Sequence, residues 1–187
     1  MKKIIPFIFL AGVAAAVAAG VLYARPLPSV ELSPLNLANG EESGASSKPH
    51  REAPPGNIEY YNPQLDFSLF YPNNLTVKVS HDGGATTLRF EDIQTVQGFQ
   101  IFIVPYTASQ VTQTRFLQDE PSGVRNSPKD ITIDGATAMS FYGSDIRLGE
   151  TAEIWFIHGG YLYEVTALKK DAAWLASIMR TWEFLNK

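Results

Sequence analysis

The chain has 187 residues, of which 45% are hydrophobic, 18% charged and 12% aromatic, and its formal net charge is −4. Such a length and composition indicate one folded domain with additional segments. The negative charge disfavours nucleic-acid binding, which needs a basic surface to neutralise phosphates. Because the chain has no cysteine, disulfides, thiolate metal sites, iron–sulfur clusters and a cysteine nucleophile are excluded.

An uncharged apolar run, residues 4–24, follows two lysines at the start of the chain. Basic residues before an apolar stretch are typical of a secretion signal. As a helix the run would be about 31 Å long, enough to span the hydrocarbon layer. We expect residues 1–24 to be a signal-anchor helix that contacts the lipid bilayer through residues 4–24, with the domain outside the cytoplasm. Small residues within the run leave the alternative open: a cleaved signal peptide and a secreted or periplasmic protein.

Residues 25–57 are rich in proline, serine, glycine and glutamate and show no helical or strand periodicity. Such a composition buries too little apolar surface to fold alone, so we expect a disordered tether. A tether of this kind either gives the domain reach toward a partner or is a simple linker.

Residues 58–187 are predicted to form one domain that begins with strands. Residues 66–71 alternate, with Phe67, Leu69 and Tyr71 on one face. Asp82–Gly83–Gly84 indicates a hairpin, because glycine supplies the positive φ that tight turns need. Residues 98–106 are nearly all apolar, which predicts a strand buried on both faces.

The rest of the domain is predicted to contain a helix, four strands and a second helix, so that the overall order is strands, helix, strands, helix. Helices are predicted at 109–118 and from Asp171, a suitable N-cap, through 181. The strands predicted between them are 129–134, 136–142, 151–157 and 161–167, and Trp182, Phe184 and Leu185 form a short edge strand or packed tail. Hairpin-length connections favour an α+β fold with a largely antiparallel β-sheet sandwiched by helices.

Two stretches resemble PsbP-like domains, the superfamily of the photosystem II extrinsic subunit, a Ran-binding import factor and bacterial domains of unknown function. Residues 60–77, YYNPQLDFSLFYPNNLTV, resemble the start of these domains, and residues 131–185, from ITIDG to TWEFL, resemble their C-terminal half. The resemblance implies an antiparallel sheet with helices and a module that mostly binds proteins. It implies no enzyme activity and no cofactor, and it transfers no functional residue to this chain.

The chain has three histidines, His50, His81 and His158. His50 lies in the tether and His158 in a hairpin. His81 precedes a turn, and together with Glu91 and Asp92 it has ligand types that hold Mn²⁺ or Zn²⁺. A polar residue beside two glycines is more often a simple turn residue, so we assign no metal ligand.

The sequence contains no catalytic motif. There is no G-x-S-x-G elbow, and Gly143–Ser144–Asp145 is interpreted as a loop. The carboxylate pairs Glu150/Glu153 and Asp119/Glu120 are predicted at loop edges, where full solvation would leave their pKa values ordinary. No phosphate-binding glycine motif occurs either. We therefore assign no catalytic or cofactor-binding residue.

Aromatic residues are concentrated in the hairpin that contains Trp155, Phe156, Tyr161 and Tyr163. They either line a binding surface or pack beneath helices on both faces of the sheet, and we favour packing. The leading function is a non-catalytic interaction or assembly module, membrane-tethered or secreted, with a protein partner in the cell envelope. The alternatives are a small-molecule or metal-binding domain and a hydrolase of unfamiliar type.

Overall fold

The structure, a computed structural model, describes residues 51–186. The predicted leader, residues 25–50 of the predicted tether and His50 lie outside the described residues. The strands are β1 (Asn57–Asn62), β2 (Phe67–Pro72), β3 (Thr76–Asp82), β4 (Ala85–Asp92), β5 (Gln97–Pro105), β6 (Asn126–Ile133), β7 (Ala136–Asp145), β8 (Gly149–His158), β9 (Tyr161–Leu168) and β10 (Glu183–Phe184). The helices are α1 (Gln113–Asp119) and α2 (Ala172–Met179), and a 3₁₀ turn covers Lys169–Asp171. In this part of the chain no helix has the length and apolarity needed to cross a membrane.

The described strands form two sheets in which every pairing is antiparallel. The large sheet has the order β3-β4-β5-β9-β8-β7-β6, and the small sheet has the order β1-β2-β10. Hairpin turns join most neighbours, which is why the pairing is antiparallel. The prediction of a largely antiparallel α+β fold is confirmed. The pairing of β5 with β9 closes the large sheet between two parts of the chain that are distant in sequence.

The main core lies between one face of the large sheet, the small sheet and α2. Phe67 of β2 stacks on Trp182 with ring centroids 4.1 Å apart, and it meets Tyr163 of β9 edge to face. Phe90 and Phe99 stack across β4 and β5 at 4.3 Å. Each fully buried side chain of this size contributes about 1.5–3 kcal/mol, so the contact of Phe67 with Tyr163 helps to hold the two sheets together.

Part of the opposite face of the large sheet is covered by α1. Phe116 of α1 contacts Phe141 of β7 and Trp155 of β8 in a second, smaller apolar cluster. Phe156, the next residue of β8, belongs to the main core. Because successive side chains of a strand point to opposite faces, the two helices cover opposite faces of the large sheet. The packing interpretation of the aromatic hairpin is confirmed.

The predicted strand 98–106 is fully buried on one face only. Phe99, Ile101 and Ile103 of β5 have at most 1% of their surface exposed, whereas Phe102 and Val104 are only half-buried. The prediction was wrong for the second face, because α1 is only seven residues long and leaves part of that face open.

Both helices are shorter than predicted. Helix α1 begins after Thr112, whose Oγ1 accepts a hydrogen bond from the Arg115 backbone N–H at 3.1 Å. Asp171 occupies the N-cap position of α2, but its side chain makes no capping hydrogen bond and instead pairs with Lys170. The 3₁₀ turn before α2 accounts for the missing capping hydrogen bond, since it gives the chain a tighter path into the helix.

The end of the predicted tether contacts the domain. The Arg51 guanidinium donates to the Thr181 carbonyl at 2.9 Å and to Ser68 Oγ at 3.0 Å, and it pairs with Glu59. It also lies over the Phe70 ring at 4.3 Å from the centroid. Residues 51–56 are therefore part of the folded structure and tie the chain to β1, β2 and the segment after α2.

Candidate functional site

The two described histidines lie on different hairpins of the large sheet. His81 is exposed at the end of β3, where its Nδ1 is 3.0 Å from Thr86 Oγ1. His158, at the end of β8, stacks on the Phe184 ring at 3.6 Å. Four strand spacings separate β3 from β8, which places the imidazoles about 19 Å apart. The structure therefore does not bring them together.

His81 and the carboxylates considered with it lie at opposite ends of the β3–β4 hairpin. His81 is opposite Thr86, whereas Glu91 lies five positions further along β4, about 17 Å away. Glu91 pairs with Lys78, and Asp92 accepts a hydrogen bond from Asn74. Between residues 51 and 186, no three His, Asp or Glu side chains are grouped so that they could hold a metal ion.

The segment Gly143–Ser144–Asp145 is the end of β7 rather than a loop. The prediction for this segment was wrong because β7 and β8 pair as far as Asp145 and Gly149, so the hairpin turn is shorter than expected. Asp145 Oδ1 accepts hydrogen bonds from the backbone N–H groups of Arg147 and Leu148, both at 2.7 Å. Its carboxylate therefore organises the turn.

Buried carboxyl groups beneath α1 are the most unusual chemical feature of the described residues. Glu153 and Glu164 are only 4% and 6% exposed, and Glu120 is buried as well. The prediction that Glu153, Asp119 and Glu120 are solvated at loop edges was wrong. Glu153 lies in the middle of β8, whereas its predicted pair Glu150 is exposed at the start of that strand.

Glu153 is enclosed and hydrogen-bonded. Its Oε2 accepts from Thr166 Oγ1 at 2.7 Å and from the Trp155 indole N–H at 3.2 Å. Burial raises the pKa of Glu153 from 4.5 to about 7, because the charged form loses its hydration, and these hydrogen bonds only partly offset the effect. Near neutral pH this carboxyl group therefore takes up and releases its proton inside the protein.

Glu164 is the neighbouring carboxyl group on β9. Burial raises its pKa well above 4.5, and the adjacent Asp119 carboxylate raises it further. Arg115 of α1 pairs with Asp119, and its Nη2 lies 3.9 Å from Glu164 Oε1. The positive charge of Arg115 lowers the pKa of Glu164, but it only partly offsets the effects of burial and of the Asp119 carboxylate.

Glu120 reaches the same face of the sheet from the end of α1. Its Oε1 accepts a hydrogen bond from Ser122 Oγ, and burial raises its pKa. Gly143 makes room for it, because a Cβ at that position would lie 2.7 Å from Glu120 Oε2 and 2.8 Å from Thr151 Oγ1. Glycine is needed at this position for the close approach of the carboxyl group, since the backbone φ is not in the left-handed region.

An apolar and cationic cover separates these carboxyl groups from solvent. Phe116 packs on Phe141 and Trp155, and the Arg125 guanidinium lies over the Phe116 ring at 3.8 Å from its centroid. We define this set of side chains, together with Glu120, Glu153 and Glu164, as the α1 cluster. In this closed arrangement the carboxyl groups can exchange protons and stabilise packing, but they do not face a space that a substrate could occupy.

The sequence contained a signal for this site. The strand predicted at 151–157 puts Glu153 on the same face as Trp155, by alternation. A glutamate between buried positions of a central strand is uncommon unless it is paired or protonated. Which element would cover that face depended on where α1 docks, and this could not be derived from local pattern.

Two open depressions occur elsewhere in the described domain. One, of about 280 Å³, lies between α2 and β2 and is lined by Phe70, Trp174 and Ile178 among others. The other, of about 390 Å³, lies between α2 and β6 and is lined mainly by apolar side chains, including Trp182. The Trp182 indole N–H is buried without a hydrogen-bond partner. Neither depression is lined by a histidine.

No family model matches the chain. No curated protein matches it either. Among solved structures, it is similar to the solution structure of cyanobacterial PsbP (CyanoP) from Synechocystis sp. PCC 6803, with 12% sequence identity and a TM-score of 0.49, over 75% of this chain and 99% of that chain. At this identity and TM-score the likeness says nothing about activity or partners.

Proposed function

We propose that this protein is a non-catalytic interaction or assembly module, tethered outside the cytoplasm by residues 1–24 and contacting a protein of the cell envelope. The observation that supports a non-catalytic role is the burial of Glu153 and Glu164 beneath α1. Burial raises the pKa values of both carboxyl groups, the direction in which a general acid is tuned. A general acid or base must also reach its substrate, and here Phe116 and its neighbours occupy that space.

The edges of the large sheet support a role in protein contact. β6 is protected against pairing by Pro128, by Lys129 and by an irregular register between Asn126 and Lys129. β3 is a regular seven-residue edge strand, largely exposed, in which Val79 has 52% of its surface in solvent. An exposed regular edge can accept a strand from a partner through backbone hydrogen bonds. β3 is therefore the contact surface that we favour.

Site-specific photocrosslinking in intact cells tests this function. A photoreactive amino acid at Ser80 of β3 should give one discrete protein adduct, whereas the same group at Ala173 of α2 should give none. The full chain should remain with membranes after alkaline extraction and be digested by protease added to spheroplasts. Equal labelling at both positions, recovery of the domain in the cytosol, or turnover of a substrate would contradict the proposal.

A small-molecule-binding domain is the second candidate. The depression of about 390 Å³ between α2 and β6 has the size of small ligand sites. Its lining residue Trp182 has a buried indole N–H without a hydrogen-bond partner, and a ligand oxygen could accept a hydrogen bond from it. Native mass spectrometry of protein purified from its own membranes would show a retained mass if this candidate is correct. Loss of that mass in a Trp182→Phe variant would locate it, since phenylalanine keeps a smaller aromatic ring and removes the indole N–H.

A further inference from the structure

Two isoleucines are held in solvent at the tips of hairpins. Ile146, between β7 and β8, is 99% exposed, and Ile93, between β4 and β5, is 64% exposed. Large aliphatic side chains in solvent are common singly. Here two hairpin turns present the same residue type in the same way, immediately after an aspartate.

The aspartates make both tips well ordered. Asp92 Oδ1 accepts from the Gln94 N–H at 2.8 Å, and its Oδ2 accepts from Thr95 Oγ1 at 2.8 Å. Asp145 Oδ1 accepts from two backbone N–H groups of its own turn, each at 2.7 Å. Such turns fix the backbone before any contact is made, so little conformational entropy remains to be lost on binding.

Both tips extend from the same end of the large sheet. Phe99, Ala167, Ala152 and Tyr142 are aligned across β5, β9, β8 and β7. The paired part of the β4–β5 hairpin continues two residues beyond this row, and that of the β7–β8 hairpin continues three. The tips therefore lie at nearly the same height, and three strand spacings place them about 14 Å apart. We call this end of the sheet, with Ile93 and Ile146, the isoleucine end.

The turn that precedes β1 lies near the isoleucine end. The Asn73 backbone N–H donates to the Gly56 carbonyl at 3.0 Å, next to the start of β1. The side chain of the following residue, Asn74, donates to Asp92 Oδ2 at 3.1 Å. The turn that precedes β1 is thus connected through two hydrogen bonds to the Ile93 tip.

Charges at the isoleucine end are mixed. Lys169 pairs with Glu150 at 2.6 Å, and Lys170 pairs with Asp171 at 2.9 Å. Asp92 and Asp145 add negative charge next to the isoleucines, and Arg147 adds positive charge. This balance gives no net attraction to anionic lipid, which requires a basic surface. Any affinity of this end for a membrane must therefore come from its exposed aliphatic side chains, mainly the two isoleucines and to a smaller extent Val96, which is 37% exposed in the same turn as Ile93.

We propose that the isoleucine end rests on a lipid bilayer, with Ile93 and Ile146 inserted among the acyl chains. The proposal rests on the proposed function, because it assumes that the domain is tethered to a membrane. Two single aliphatic side chains about 14 Å apart fit a fluid apolar layer, which accepts them without matching pockets. A protein partner would need two correctly spaced pockets and a complementary surface between them.

Labelling at opposite ends of the sheet tests the proposal. The chain has no cysteine, so one introduced cysteine carries the only label. The full chain is reconstituted into phosphatidylcholine vesicles with a small fluorophore at Gln94→Cys, on the isoleucine end, or at Asp82→Cys, on the opposite end. Nitroxide-bearing lipids should quench the label at position 94 several-fold more strongly than the label at position 82, with little dependence on salt.

Variants of the isoleucines complete the test. Removing each isoleucine should lower the ratio of docked to undocked domain roughly tenfold. In the Ile93→Ser/Ile146→Ser variant, quenching at position 94 should therefore fall to the level at position 82. The Val79→Ser variant removes an exposed aliphatic side chain elsewhere and should change nothing. Both sets of side chains are exposed, and an unchanged near-ultraviolet circular dichroism spectrum will confirm that the variants fold.

Three results would overturn the proposal. Equal quenching at positions 94 and 82, in chains that remain bound to vesicles, would show a tethered domain that does not dock. Strong quenching at position 94 that persists in the double serine variant would show that the isoleucines are not responsible. Chains that fail to bind vesicles at all would overturn the membrane tether as well, and so would refute the proposed function separately.

Discussion

Replacing Glu153 by glutamine tests whether a protonated carboxyl group stabilises the packing of α1 on the sheet. Glutamine has nearly the shape of protonated glutamic acid, and its carbonyl oxygen can accept the hydrogen bond from Thr166. The substitution therefore removes the titration of this side chain and leaves its contacts largely in place.

The expected size of the effect follows from the pKa of Glu153. The unfolded chain releases this proton near pH 4.5, whereas the folded chain keeps it until about pH 7. The contribution of Glu153 to the free energy of unfolding is therefore largest below pH 4.5. It decreases as the pH rises to about 7 and is constant above that value. At 1.36 kcal/mol per pH unit, the total loss is about 3 kcal/mol.

Thermal unfolding of the full chain in a non-ionic detergent measures this dependence. At about pH 5 the Glu153→Gln variant and the parent protein should differ little, and at about pH 8 the variant should be more stable by about 3 kcal/mol. For a domain of this size that corresponds to an unfolding temperature about 10 °C higher. Both proteins should also lose stability with rising pH through Glu164 and Glu120, whose pKa values are raised by burial and which the substitution leaves in place.

The control is Glu150→Gln, three residues earlier in the same strand. The Glu150 side chain is 69% exposed and pairs with Lys169 at the surface, so its removal should change the free energy of unfolding by less than about 1 kcal/mol. A Glu153→Gln variant that is less stable than the parent protein at about pH 8 would refute the reasoning, because it would mean that an ionised Glu153 contributes to stability.

Three further substitutions test the packing. Gly98→Ala should destabilise the domain by about 1–3 kcal/mol, because its Cβ would lie 2.4 Å from the Phe90 carbonyl oxygen; an unchanged denaturation midpoint would show that β4 and β5 can separate at little cost. Phe116→Ala should remove the hydrogen-exchange protection of α1 while the amides of β5, β8 and β9 keep theirs, since Phe116 anchors the helix in the smaller cluster. Equal loss of protection throughout the sheet would contradict separate packing of the two faces. Arg51→Ala should cost about 1–3 kcal/mol, since the guanidinium pairs with Glu59 and holds the first described residues on the domain. If Arg51→Lys restores full stability, the several directed hydrogen bonds of the guanidinium are not needed.

Much of the local structure followed from the sequence. Alternation placed Trp155 and Phe156 on opposite faces of β8, and the glycine-containing turns at 83–84, 135 and 159–160 marked hairpin ends. These features depend on neighbouring residues, because the side-chain direction along a strand and the φ needed in a tight turn are local properties. The antiparallel character of the fold followed from the short connections.

The candidate site was not predictable in the same way. Glu153 falls within the predicted strand 151–157 but was expected to be solvated at its edge. Its pKa depends on what covers it, and the covering side chains, Phe116 and Arg125, come from a segment about thirty residues earlier. The pairing of β5 with β9 and the separation of β1, β2 and β10 into a second sheet are long-range choices of the same kind.

By itself, then, the sequence determined the alternation of side chains along most strands, most of the turn positions and the absence of thiol chemistry. Tertiary structure alone decided which carboxyl groups are buried away from water and which isoleucine side chains remain exposed to it. The physical reason is that desolvation is set by the sum of all neighbours in space, and most of those neighbours are distant in the chain.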